Sequence, residues 1–251
     1  MKTITFVRHG QSSANAGGVT MAHGDIPLTA LGRLHATTLA GLLPERPSAI
    51  FTSKYLRAQH TAEPYATRAG LAPQTHPLLH EFSTIDHRLM AGMNGEQRRP
   101  MADAYWLAAD PHHRMGDEAE TFTEFAQRVD DLIPQLQTMP DGAVMFGHGM
   151  WMGLLVWKLL GFRSNDSQGM KAFRRFQLGL PMPNGAVYRL REVVVGGGRH
   201  VDGNVGSTGG QGSQWHAQVD EPIMQALLAV RPDDEAAGHA GDVSASRVYK
   251  G

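Results

Sequence analysis

The chain has 251 residues, of which 41% are hydrophobic and 19% are charged, and its formal net charge is −1. This composition is typical of a globular protein, and the near-zero charge argues against a broad nucleic-acid-binding surface. The sequence contains no cysteine, which excludes disulfides, zinc–thiolate sites and cysteine nucleophiles. No apolar run approaches the roughly 18 residues of a membrane span, so we expect no membrane partner. Because the first predicted strand begins at Ile4, we expect no secretory signal and a cytoplasmic location.

Short apolar strands alternate with helical segments along most of the chain. Strands are predicted at residues 4–7, 49–51 and 143–146. Helices are predicted from the N-cap Thr29 to Pro44, over 54–69, after the capping box Thr121–Glu124 with a kink at Pro134, and over 151–160. This alternation predicts an α/β fold, a three-layer α/β/α sandwich with a mostly parallel central sheet.

The remaining segments have weaker patterns. Residues 82–118 show little periodicity, and we expect a partly helical insertion over the active site. Residues 186–190 and 192–195 are typical of a closing hairpin or meander. The glycine-rich segment 196–212 is interpreted as a flexible hairpin connection, because phosphate loops lead into a helix and no helix signal follows it. We expect one domain over residues 1–230 and a loose tail over 231–251.

Two of the predicted strands end in the same way. One ends at Arg8-His9-Gly10 and the other at Gly147-His148-Gly149. Ligands of α/β sheets bind outside the carboxyl ends of strands, so neighbouring strands would place both imidazoles in one crevice. A lone histidine at a strand end is commonly structural, but two in matching contexts favour a site. The helix after His148 offers free N–H groups that favour an anion.

A second arginine strengthens this interpretation. Arg57 lies one turn into the helix that follows the second strand, near the same end of the sheet. A helical arginine is usually a solvated surface residue. With Arg8 and the two histidines, however, it would form a trap for a dianion, since the guanidinium fork suits phosphate oxygens and stays charged.

These motifs resemble the histidine phosphatase superfamily, the phosphoglycerate-mutase-like proteins. The matches lie in order between residues 4 and 190: Arg8-His9-Gly10, Asn15, residues 25–32, residues 52–58 with Arg57, Leu79-His80-Glu81, Gly147-His148-Gly149 and Asn184-Gly185-Ala186. Arg-His-Gly alone would be weak evidence, but several ordered matches are specific.

The resemblance implies a catalytic scheme. His9 would be the nucleophile that forms a phosphohistidine, while Arg8, Arg57 and His148 would hold the phosphoryl oxygens. Nearby positive charge would keep His9 unprotonated. Glu81 would protonate the leaving oxygen and then take a proton from water.

Other roles follow from the same resemblance or are left open by it. Gln11, Asn15 and Gly149 are expected to bind substrate, and Gly10 to let the backbone turn beneath the phosphate. Asp86 is the rival proton donor, and Glu81 could instead be a solvated loop carboxylate. No metal and no cofactor are expected, because arginines would neutralise the phosphate.

The function favoured by this pattern is a phosphomonoesterase acting on a small-molecule phosphomonoester. Mutases of the family carry an arginine and a Tyr-Gly pair after the acid, whereas Glu81 is followed here by Phe82-Ser83. Gly149 replaces the Asp that marks the phytase branch. A phosphomutase and a non-catalytic phosphate- or phosphoprotein-binding module remain as alternatives. The oligomeric state is left open, with a homodimer as one option.

The pocket rim is the least determined part of the prediction. Large side chains are expected either to line it or simply to pack the insertion onto the core: Met21, His23, Met90, Met93, Tyr105, Trp106, Met150 and Trp151.

Overall fold

The computed structural model describes residues 1–195 and 212–231, which form six strands and seven α-helices. The strands are β1 (Thr3–Arg8), β2 (Ile50–Thr52), β3 (Gln74–Thr75), β4 (Val144–Gly147), β5 (Val187–Val195) and β6 (Gly212–Val219). The helices are α1 (Ala30–Leu42), α2 (Leu56–Ala69), α3 (Gly95–Ala108), α4 (Phe122–Leu132), α5 (Gly149–Leu159), α6 (Ser167–Gly179) and α7 (Glu221–Ala229). The predicted caps are present: the Thr29 side chain accepts from Gly32 N–H, and Thr121 and Glu124 form a capping box.

The sheet has the strand order β3-β2-β4-β1-β5-β6. The pairings among β1, β2, β3 and β4 are parallel, and β5 and β6 are antiparallel. The register of β1 with β4 places Arg8 opposite Gly147. The carboxyl ends of these two central strands therefore lie side by side, which is the condition under which the two matching motifs were expected to share one crevice.

Helices cover both faces of the sheet, which confirms the predicted α/β sandwich. Successive residues of β1 point to opposite faces: Phe6 packs with the helices α3 to α6, and Val7 packs with α1, α2 and α7. Both side chains are fully buried. Because each central strand is covered on both sides, it appears in the sequence as a continuous apolar run without alternation.

The end of the fold differs from the sequence-based expectation. Residues 187–195 form one continuous strand, so the predicted hairpin or meander within this segment is wrong; β5 instead pairs antiparallel with β6. The sequence analysis also did not predict α6, β6 or α7. Asp220 caps α7 and pairs with Arg189 of β5, and this cap followed by Pro222 was an available helix signal. Residues 196–211 and 232–251 lie outside the described residues, so the flexible connection and the loose tail stay predictions.

The segment 82–118 is partly helical, as expected. It contains a short 3-10 turn at His87–Met90 and the helix α3. Met90, Tyr105 and Trp106 of this segment are buried, and Tyr105 and Trp106 pack the insertion onto the core. At the other predicted break, Pro134 ends α4 in a 3-10 turn over Ile133–Gln137. Among the helices of the described residues, none has the length and apolar character needed to cross a membrane.

Candidate active site

His9 lies directly after β1 and is 3% exposed. Its Nδ1 is 2.7 Å from the carbonyl oxygen of Gly10, which can only accept, so Nδ1 carries the proton and donates. The other ring nitrogen, Nε2, accepts from Arg57 Nε at 3.2 Å. Burial first, and then the charges of Arg57 and Arg8, hold the pKa of His9 well below its ordinary value. His9 is therefore a neutral imidazole with a lone pair on Nε2.

Arg57 is held in place by three contacts besides its bond to His9. One terminal nitrogen donates to the carbonyl of His23 at 2.7 Å, and the guanidinium lies 4.8 Å from the centre of the Tyr55 ring. Its carbonyl accepts from Thr61, whose hydroxyl in turn accepts from Gly10 N–H at 3.0 Å. The second arginine motif is thereby connected to the backbone beneath His9.

His148 lies next to His9, with the two ring centres 5.2 Å apart. It is fully buried, and its Nε2 is 2.8 Å from Ser53 Oγ. Burial, followed by the charge of Arg57, holds the pKa of His148 well below its ordinary value. The structure thus brings together the two histidines that the sequence placed at the ends of different strands.

Arg8 completes the positive side of the site. Its guanidinium donates to the carbonyl of Met182, while its Nε is buried without a hydrogen-bond partner among the described residues. Burial lowers the pKa of Arg8, and the charge of Glu81 opposes this effect. A Cβ on Gly149 would lie 3.0 Å from Arg8 Nε, so the glycine at the start of α5 lets the arginine pack against that helix.

Glycine stands at position 10 for a different structural reason from the one expected. Its φ is not in the left-handed region, so no turn demands a glycine there. Instead, a Cβ on Gly10 would collide with the carbonyl oxygen of Gly32 in the first turn of α1. The glycine is required because helix α1 approaches the strand end so closely.

Glu81 caps α5. Its carboxylate oxygens accept from the N–H groups of Met150 and Trp151, each at 3.0 Å, and from Phe82 N–H. Two of the N–H groups that were expected to hold an anion at this helix are therefore already bonded to a side chain. Glu81 is not a solvated loop carboxylate, and its charge acts on Arg8 and Arg57.

Asp86, the rival proton donor, is bonded to other residues of the insertion. It is 2% exposed, and its carboxylate forms a two-pronged ion pair with Arg88, 2.6 Å at the closest contact. It also accepts from Glu118 N–H. The Arg88 hydrogen bond holds the pKa of Asp86 well below its usual range, so this carboxylate braces the insertion.

The predicted substrate-binding residues have structural partners. Asn15 Oδ1 accepts from Ser12 N–H, Ser12 Oγ and Asn184 Nδ2, which turns the NH₂ group of Asn15 away from these donors. Gln11 Oε1 accepts a hydrogen bond from the hydroxyl of Thr29 at 2.8 Å, and this bond connects Gln11 to the cap of α1. Asn184 received no role from the sequence, yet it connects Asn15 to the carbonyls of the first motif.

A cavity of about 650 Å³ adjoins the site and shares Tyr55 and His23 with it. Its lining is mostly polar and charged: His23, Lys54, His80, Ser83, His87, Arg114, Glu118, Glu120 and Glu124. A cavity of similar size, about 670 Å³, lies between α2 and β3 and contains none of the site residues. Of these two cavities, the polar one is therefore the cavity that lies next to the two histidines. Of the expected rim residues, only His23 lines it, and Trp151 is fully buried.

One group of side chains among the described residues has ligand atoms close enough to hold a metal ion, namely Asp86, His87 and Glu118. All these atoms lie within 4.8 Å of one another. The Asp86 oxygens are already bonded to Arg88, a cation that competes with a metal.

The comparisons with known proteins identify the family. The model of the histidine phosphatase superfamily (branch 1) matches residues 4–191, and the chain belongs to this superfamily. A curated relative, a probable phosphoglycerate mutase of Yersinia pestis, is 27% identical over 179 residues, which cover 68% of this chain and 80% of the relative.

Solved structures of phosphatases share the fold. A mycobacterial glucosyl-3-phosphoglycerate phosphatase superposes with a TM-score of 0.62 at 23% identity, covering 87% of this chain and 98% of that one. The α-ribazole phosphatase of Shigella flexneri superposes with a TM-score of 0.58 at 26% identity, covering 75% and 90%.

Proposed function

We propose that the protein is a metal-independent phosphomonoesterase that acts through a phosphohistidine on His9 and hydrolyses a small phosphorylated metabolite. The observation that carries the proposal is the bonding of the His9 ring. Nδ1–H is held by the Gly10 carbonyl, so the lone pair on Nε2 is directed at the guanidinium of Arg57. A phosphoryl group bound by Arg57 would lie in front of a neutral nucleophile.

The proposed reaction has two steps. In the first, which requires Glu81 in its protonated form, His9 Nε2 attacks phosphorus, the N–P bond forms, the ester P–O bond breaks, and the leaving oxygen takes the proton of Glu81. In the second, water attacks phosphorus, the N–P bond breaks, and Glu81 takes the proton from that water. Arg8, Arg57 and His148 stabilise the phosphoryl oxygens in both steps. The products are an alcohol and inorganic phosphate.

The insertion supports hydrolysis over the transfer of a phosphoryl group between substrate hydroxyls by a mutase. A mutase must keep its phosphoenzyme from water, which favours a closed basic lid. Here Arg88 pairs with Asp86, Arg114 pairs with Glu124, and Arg98 donates to carbonyls at residues 18 and 93. These three arginines are therefore occupied by partners within the protein, which leaves their charges less available for such a lid.

The test is phosphate release from p-nitrophenyl phosphate in the presence of EDTA. Wild type should turn over and His9→Ala should not, while His60→Ala, an exposed histidine outside the site, should match wild type. Acid-labile phosphate should appear on wild type and on His60→Ala, and it should be absent from His9→Ala. Activity in His9→Ala, or loss of wild-type activity with EDTA, would overturn the proposal.

A substrate panel would follow from the relatives. It would contain α-ribazole 5′-phosphate, glucosyl-3-phosphoglycerate and 3-phosphoglycerate, because relatives and structural neighbours bear the corresponding names. Conversion of 3-phosphoglycerate to its isomer without phosphate release would identify a mutase instead.

A further inference from the structure

Ser53 has no part in the reaction described above, yet it lies at the centre of the site. It follows β2 directly, and its N–H donates to the carbonyl of Phe146 in β4 at 2.9 Å. This pairing sets the serine beside the end of β4, where His148 begins the next helix. Ser53 is fully buried, and its Oγ is 2.8 Å from His148 Nε2.

The hydrogen bonds around Ser53 decide which group donates. A hydroxyl has one proton to donate and two lone pairs to accept with. Tyr55 N–H, which can only donate, is 3.2 Å from Ser53 Oγ and uses one of these lone pairs. The hydroxyl proton therefore needs an acceptor, and His148 Nε2 is the acceptor that the structure provides. If Nε2 carried a proton instead, the hydroxyl proton would have no acceptor among the described residues.

The hydrogen bond from Ser53 also determines the state of the other nitrogen of the His148 ring, Nδ1. A neutral imidazole whose Nε2 accepts must carry its proton on Nδ1. His148 Nδ1 is buried and has no hydrogen-bond partner among the described residues. The N–H groups of α5 beside it, those of Met150 and Trp151, are bonded to Glu81. The Nδ1–H group of His148 is thus a buried donor that lies next to the His9 ring and has no acceptor among the described residues.

We propose that Ser53 is a positioning residue that fixes His148 as the Nδ1–H tautomer, so that the ring donates a hydrogen bond to a phosphoryl oxygen. The other tautomer would present a lone pair to that anion and would repel it. The proposal deepens the proposed function and rests on it for the identity of the acceptor. The tautomer itself follows from the bonds of Ser53 alone.

The direct test is the protonation pattern of the His148 ring. Two-bond ¹H–¹⁵N correlation spectra distinguish a proton on Nδ1 from one on Nε2, and the signals are assigned by their absence in His148→Asn. Wild type should show Nδ1–H, and Ser53→Ala should show a mixture or Nε2–H. Ser164→Ala, which removes an equally buried hydroxyl that has no partner among the described residues, should leave the pattern unchanged. Nε2–H in wild type, or an unchanged pattern in Ser53→Ala, would overturn the proposal.

A kinetic double-mutant cycle separates positioning from general structural support. An asparagine at position 148 keeps an amide near the place of Nδ1 but is too short to reach Ser53. Ser53→Ala should lower kcat about 10-fold or more in the wild-type background, as loss of a residue that orients a histidine commonly does. In the His148→Asn background the same change should cost less than about 2-fold. Equal losses in both backgrounds would show a structural role and would overturn the proposal.

The two proposals fail in different ways. The ring spectra need no turnover and can be repeated with inorganic phosphate, which should shift the Nδ1–H signal of wild type. If wild type released no phosphate from any substrate while its spectra showed Nδ1–H bound to phosphate, the proposed function would fail and the assignment to Ser53 would stand.

Discussion

Arg57 Nε donates to His9 Nε2 at 3.2 Å, so the guanidinium is bonded to the same lone pair that would attack phosphorus. A substrate must replace this bond, since one lone pair cannot accept from Arg57 and bond to phosphorus together. In the proposed reaction Arg57 would then keep its charge beside the phosphoryl oxygens. The arginine that adds to the effect of burial in lowering the pKa of His9 would thus also hold the phosphate beside it.

Replacing Arg57 with lysine tests the value of this geometry. Lysine keeps the charge but loses the planar fork that reaches His9, His23 and the Tyr55 ring together. We expect kcat/KM to fall about 10²–10³-fold, as for loss of one transition-state donor. Steady-state kinetics on p-nitrophenyl phosphate would measure the fall. Arg68→Lys, on the same helix outside the site, is the matched control, and an equal loss in it would contradict the explanation.

Glu81 should reveal its role through the leaving group. If it donates the proton, Glu81→Gln should reduce kcat/KM strongly for an alkyl phosphate and much less for p-nitrophenyl phosphate, whose leaving group needs little protonation. The amide keeps one oxygen as an acceptor for the N-terminus of α5. A role confined to capping that helix would reduce both substrates by the same factor, and that result would exclude Glu81 as the acid.

Asp86 is expected to matter for stability rather than for chemistry. Its folded-state pKa lies below the unfolded value, so its contribution is present above about pH 4 and is lost as the pH falls through the folded-state pKa. Asp86→Asn should lower the Tm at pH 7 by more than it does at pH 3.5, while kcat for p-nitrophenyl phosphate stays within about 3-fold of wild type. If the folded Asp86→Asn variant lost much more of its kcat, the prediction would be wrong and Asp86 would again be a candidate proton donor.

The buried histidines predict a loss of stability in mild acid. The pKa values of His9 and His148 lie well below the ordinary value, chiefly because of burial. Below about pH 6.5 the unfolded chain therefore binds protons that the folded protein does not, and the free energy of unfolding falls. Urea denaturation at pH 7.5 and 5.5 measures this fall. His9→Gln removes one such group and should show a smaller fall; a fall as large as that of wild type would contradict the prediction.

The contact between Gly10 and Gly32 should make the first motif intolerant of a methyl group. Gly10→Ala would push a Cβ into the Gly32 carbonyl, and we expect a destabilisation of about 1–3 kcal/mol or more. Gly41→Ala, in the exposed part of the same helix α1, meets no atom within 4 Å and should stabilise by about 0.5–1 kcal/mol. Urea unfolding of both variants compares them, and equal stability would contradict the packing explanation.

Much of the fold could be predicted from local patterns. The Thr29 and Thr121 caps, the break at Pro134 and the end of α2 at residue 69 are decided by residues close in sequence, and each lies where the pattern placed it. The elements near the end of the chain, β6 and α7, were harder to predict. Strand β6, at a sheet edge, alternates exposed polar residues with buried or half-buried ones. Helix α7 has only nine residues, and it is stabilised by packing Ile223 and Leu227 into the core.

From the amino-acid pattern we could predict that Arg8-His9, Arg57 and His148 lie near one edge of the sheet, because these residues follow strand ends whose positions the apolar runs reveal. How these residues are bonded follows from the packed structure alone. The tautomer of His9, the bond from Ser53 to His148 and the capping of α5 by Glu81 each join groups from different elements. A hydrogen bond is set by distances of a few tenths of an ångström, and those distances exist only once the sheet and both helical layers have packed together.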